Sequence, residues 1–149
     1  MFKRILVPVD GSETSTKALV AALQLARESG GRVRVMHALD ELAFVSGYGY
    51  APELMQVARD HGARILQDAM DIARSSGVPA DSRLVDVPGR RLGDLVAEEA
   101  QSWEADLVVA GTHGRRGIGG VLLGSGAEQV VRMAPTPVLT IRGGEARPV

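Results

Sequence analysis

The chain has 149 residues, 45% of them hydrophobic, which suits one ordinary domain (1–149, ordered over about 2–142) with a sizeable core. Seventeen basic against eighteen acidic side chains leave a formal charge of −1, so the balance carries neither a nucleic-acid footprint nor a polybasic membrane surface. Cysteine is absent, which excludes disulfides, thiolate metal sites and thiol catalysis, and no segment approaches the ~18 apolar residues of a membrane span. The opening MFKRILVPVD has too short an apolar run for a signal peptide, so a soluble, cytoplasmic protein is expected.

Residues 4–9 (RILVPV) read as the first strand, followed at once by Asp10-Gly11-Ser12. Residues 14–29 carry Ala18, Leu19, Ala22, Leu25 and Ala26 on one helical stripe, with Ser12 or Thr14 as the N-cap and Gly30-Gly31 as the C-cap. A second strand over 33–38 (VRVMHA) leads into 39–51, a long irregular segment with Phe44 and GYGY. It is either a lid or a surface loop whose aromatics cover the edge of the core. A helix follows from 52 to about 76 on Ala58, Ile65, Leu66, Ala69, Ile72 and Ala73, ended by Gly77 and Pro79. Gly62 is expected to loosen its middle and His61 to be solvated.

Residues 82–87 (SRLVDV) form the third strand, and 91–103 a helix on Leu92, Leu95, Val96 and Ala100 with Trp103 packed at its end. A fourth strand at 107–110 (LVVA), a short helix at 125–133 and a last strand at 138–141 (VLTI) complete the order βαβαβαβαβ. The first, fourth and fifth strands are expected to be the most buried. Right-handed crossovers then give an α/β fold, an open, doubly wound, Rossmann-like parallel sheet of five strands with helices on both faces. In such sheets ligands lie outside the carboxyl ends of the strands, where Asp10 and Gly111 fall.

Residues 111–126 (GTHGRRGIGGVLLGSG) hold seven glycines and two adjacent arginines. The loop is not a Walker A motif, because the chain's two lysines, Lys3 and Lys17, lie far from it, and a Rossmann fingerprint would have to follow the first strand. Its spacing is Gly111-xx-Gly114, nine residues, then Gly124-Ser125. That lets the chain leave the fourth strand, make an excursion and return to a helix start facing the same point. Backbone N–H groups near Gly114, Ser125 and Gly126 can form an anion nest, the Ser125 hydroxyl can add to it, and Arg115 or Arg116 can neutralise phosphate charge. A connecting loop that binds nothing is the alternative. Asp10 is likewise open between a ligand role and ordinary turn capping. His37 and His113 could line a nucleotide site, but neither has an evident dyad partner and no zinc spacing exists, so no catalytic and no metal-ligating residue is assigned. Asp86 and Asp94 could approach the site, but acidic residues there are more often solvated or capping.

KRILVPVDGSETS, HAL, VVAGTHGRRGIGGVLLGSGAEQVV and APTPVLTIR together resemble the universal stress protein family, UspA-like, in its ATP-binding branch, over almost the whole chain. The motif GxxGxxxxxxxxxG followed by Ser, met by Gly111, Gly114, Gly124 and Ser125, carries the resemblance to ATP-holding members. The resemblance implies an adenine nucleotide alpha hydrolase-like fold, with Pro8, Val9 and Asp10 at the adenine and ribose end and Ala38 against the adenine. Gly111, Gly114, Gly124, Ser125 and Gly126 would bind ribose and phosphates beside His113, Arg115 and Arg116, with Mg2+ bridging phosphate oxygens as an option. It also implies a homodimer through the final strand and a regulatory, stress-response role through an unidentified protein partner, without nucleic acid or membrane. A slow ATPase or phosphotransferase, and a chaperone-like or scaffold protein independent of nucleotide, are the alternatives.

Overall fold

The computed structural model describes residues 1–39, 52–87, 89–112 and 125–143. These form β1 (Arg4–Pro8), α1 (Glu13–Ser29), β2 (Arg32–Ala38), α2 (Pro52–Ser76), β3 (Ala80–Val85), α3 (Leu92–Ser102), β4 (Leu107–Gly111), α4 (Ser125–Met133) and β5 (Val138–Ile141). The strands pair in parallel in the order β3-β2-β1-β4-β5, with Ile5 opposite both Val33 and Leu107, and Val108 opposite Val138.

Alternation along the strands divides the core into two layers. Ile5, Val7, Val33, Val35, Leu107 and Val109 face α1 and α2, where Ala18, Leu19, Ala22, Ile65, Ala69 and Ala73 cover them. Leu6, Met36, Val108 and Ala110 face the other way, onto Leu95, Val96, Ala100 and Val130 of α3 and α4. β1 and β4 are covered on both faces, so their runs are apolar without a break, and Ile5, Leu6, Val7, Val108 and Val109 are each 0% exposed.

The helix ends follow local chemistry. The Ser12 side chain accepts the Ser15 N–H at 3.1 Å to cap α1, and Gly30, at φ 70°, closes it with the left-handed turn that favours glycine. Trp103 forms the C-cap of α3 and is buried.

Three expectations are corrected. β5 is not among the most buried strands: it lies at the sheet edge, and Leu139 is 39% exposed. The apolar run VLTI is the same for an edge strand as for a central one, and β2 takes the inner place instead. β3 begins two residues earlier than the apolar run suggests, because pairing with β2 decides its span. Val33 N–H donates to Pro79 O at 3.0 Å and Ala80 then pairs opposite Val33, while Asp86 and Val87 have left the strand. Gly62 does not loosen α2, which runs unbroken through it. A Cβ there would lie 2.8 Å from His37 Cδ2 and 3.0 Å from Leu84 Cδ1, so glycine lets the helix sit close to β2 and β3.

Candidate functional site

The crossovers from β1 and β4 leave in opposite directions. α1 covers one face of the sheet and α4 the other, which opens a crevice at the carboxyl ends of these two neighbouring strands. Pro8 ends β1 in register with Met36, and Ala38 ends β2 in register with Val85. Strand alternation puts Pro8 on the face of Leu6, and Ala38 packs against that same layer, so both lie on the α3/α4 side. Val9 turns the other way and is buried in the layer under α1 and α2. Its backbone is engaged as well: its N–H donates to Met36 O at 2.8 Å, and its carbonyl lies 2.8 Å from His37 Nδ1. His37 thus ties down the chain just before Asp10.

Asp10 makes the turn into α1. Its Oδ1 accepts the Ser12 N–H at 2.9 Å, and its own N–H points at Ser15 Oγ, 3.3 Å away. This is the capping role weighed for Asp-Gly-Ser, and it fixes the carboxylate at the mouth of the crevice.

Gly111 ends β4 on the side of α1. A Cβ on Gly111 would lie 2.7 Å from Thr14 Cγ2 and 3.1 Å from the Thr14 carbonyl carbon and oxygen. Thr14 also abuts Gly143, beyond β5, so its side chain is wedged between the ends of the two strands. The buried Thr112 carries the β4–β5 pairing one step further, donating its N–H to Ile141 O at 2.9 Å. On the opposite face Ser125 and Gly126 open α4, and Leu92 Cδ2 lies 3.1 Å from where a Gly126 Cβ would be. His113, Gly114, Arg115, Arg116 and Gly124 lie outside the described residues.

Sequence reasoning did not find the Thr14 wedge, the His37 tie to Val9, or the packing of α4 on α3, since each joins residues far apart in the chain. His61 is half-buried rather than solvated. It lines a cavity of about 330 Å³ between α1 and α2 with Gly11, Ser15, Arg64 and Asp68. Its recurrence with Ile65, Asp68 and Ile72 at helical spacing was the available signal.

Among the described residues a cluster of linked ion pairs lies elsewhere, on the α3 side. Arg34 donates to Asp81 at 2.8 and 2.9 Å and to the buried Glu99 at 2.8 Å, and Glu99 also pairs with Arg83 at 2.8 Å. Arg4 and Arg34 each lie 4.8 Å from the centroid of the Trp103 ring. The hydrogen bonds from Arg34 hold the Asp81 carboxyl below its ordinary range. Asp86, near the carboxyl end of β3, is paired with Arg59 at 2.6 Å.

Residues 1–142 match the family model described as the universal stress protein family. The chain belongs to that family. A universal stress protein of Thermus aquaticus is 32% identical over 142 residues, covering 95% of this chain and 100% of the relative. The universal stress protein of Archaeoglobus fulgidus, solved in complex with dAMP, is 26% identical with a TM-score of 0.72, over 94% of this chain and 98% of that one. Another universal stress protein, solved in complex with cAMP, is 29% identical with a TM-score of 0.67, over 96% of this chain and 98% of that one. The parallel sheet with helices on both faces is therefore the family's α/β fold. Among the described residues no helix is long and apolar enough to cross a membrane.

Proposed function

We propose that this universal stress protein binds an adenine nucleotide, ATP foremost, in the crevice outside the carboxyl ends of β1 and β4. Occupancy then serves regulation rather than fast turnover. The observation that carries this reading is the convergence of Pro8, Ala38 and the start of α4 on one face of the sheet, beside the turn made by Asp10. Pro8 and Ala38 offer small apolar surface for a base, Asp10 a carboxylate for ribose or base, and the first turn of α4 backbone N–H donors for phosphate. Glu128, the acidic residue of that first turn, is paired with Arg132 at 2.9 Å, which offsets its charge where an anion would approach. The dAMP and cAMP complexes of the two relatives support the ligand class. ATP is favoured over the monophosphates by Arg115 and Arg116, whose paired charge suits a longer phosphate chain. Mg2+ bridging phosphate oxygens would suit ATP in such a site.

The test is mass spectrometry of nucleotide released from the denatured, purified protein, followed by calorimetric titration of apo protein with ATP, AMP, cAMP and adenosine. Binding in the order ATP, then AMP and cAMP, then adenosine is expected. No binding of any of the four would overturn the reading.

A further inference from the structure

α3 begins without a cap of its own. Arg91, at the N-cap position with φ −77° and ψ 152°, makes no side-chain hydrogen bond to the helix, and the first turn would leave orphan N–H groups. One of them is satisfied from another helix: the Gly93 N–H donates to Gln129 Oε1 at 3.1 Å. Gln129 lies one turn into α4, on the helix whose first residues are Ser125 and Gly126.

The contact is close as well as polar. A Cβ on Gly93 would lie 2.6 Å from Gln129 Cβ and 3.0 Å from the Gln129 carbonyl carbon and oxygen, so any side chain at 93 would force the helices apart. Leu92 Cδ2 braces the neighbouring turn at Gly126, and the fully buried Val130, beside Gln129, anchors α4 to the sheet. The direction of the first turn of α4 is therefore set by α3, through one hydrogen bond and the close contacts at Gly93 and Gly126.

We propose that Gln129 is a positioning residue for nucleotide phosphate: by capping α3 from α4 across Gly93, it aims the N–H groups at the start of α4. The inference rests on the nucleotide site proposed above and assigns a direct ligand contact to neither Gln129 nor Gly93. Helix N–H donors act on an anion through distance and direction, so a small rotation of α4 costs phosphate affinity while leaving the adenosine end untouched.

The experiment compares Gln129→Met, which keeps the side-chain length without the acceptor, with Gln129→Glu, which keeps an oxygen for the Gly93 N–H. Calorimetry on the full chain is expected to show Gln129→Met weakening ATP about tenfold while adenosine changes less than twofold, with Gln129→Glu recovering most of the loss. ATP bound by Gln129→Met as by wild type, or ATP and adenosine weakened equally, overturns the proposal. A measurement on wild-type protein stands independent of how the variants fold: hydrogen exchange at the Gly93 amide is expected to slow with ATP and not with adenosine, because coupling is reciprocal. Unchanged exchange with bound ATP overturns the positioning role alone. Failure of wild-type protein to bind ATP or adenosine overturns the site reading beneath it.

Discussion

Thr14 shows how one side chain can account for glycine at two distant positions. Its methyl group and backbone fill the space where a Gly111 side chain would stand, and Gly143 closes on it from the end of β5. The first glycine of the GxxG spacing is therefore required by packing, whatever ligand the loop takes. Gly111→Ala is expected to lower stability by about 1–3 kcal/mol, since the atoms it meets include backbone and α1 must shift. Adding Thr14→Ser, which removes the nearest methyl, should return part of that loss. Urea unfolding of the single and double variants measures both, and a neutral Gly111→Ala would show that the wedge is soft.

Among the elements, α3 is held at both ends by groups from other parts of the chain. Gln129 caps its start, and its last turn lies in the cluster of Arg34, Glu99, Arg83 and Trp103. Asp81 joins that cluster from the edge strand β3 through two hydrogen bonds from Arg34. Because its carboxyl is held below the ordinary range in the fold, its contribution to stability is complete above the unfolded-state value. It is lost as pH falls through the lower folded-state value. Asp81→Asn should therefore be less stable than wild type near neutral pH, with the gap closing in acid as pH falls through the lowered folded-state value. Its side chain is 55% exposed, so solvent screening keeps the effect modest. Denaturation curves at a series of pH values decide it, and a gap that stays constant into acid would remove the ion pair from the account.

For the whole molecule, the sheet leaves β5 as an edge beside β4, with Leu139 exposed on the strand and Val131 and Met133 exposed on α4. Among the described residues no strand pairs with the outer side of β5, and an apolar edge of this kind invites a second strand. We expect self-association through this edge, in keeping with the homodimer that the family resemblance implies. Leu139→Lys should yield a folded monomer, seen by sedimentation velocity with an unchanged circular dichroism spectrum. A wild-type protein that sediments as a monomer at micromolar concentration would leave the edge without this role.

Much of the architecture was legible because it rests on local chemistry. Periodicity and turn residues mark the strands and helices within a few residues, since Ile5-Leu6-Val7 and the run from Leu107 to Ala110 suit strands buried on both faces. Ser12 and Gly30 end α1 for reasons contained in their own neighbourhoods. Placement at the carboxyl ends followed from connectivity, which put Asp10 and Gly111 beside one crevice. Tertiary structure alone decided which strand lies at the edge, for VLTI has no mark of its neighbours. It alone set Gly62, Gly93 and Gly111 against His37, Gln129 and Thr14. Those pairings join residues across 25 to 97 positions of chain, and a close approach between distant backbones leaves only a glycine, without its partner, in the sequence.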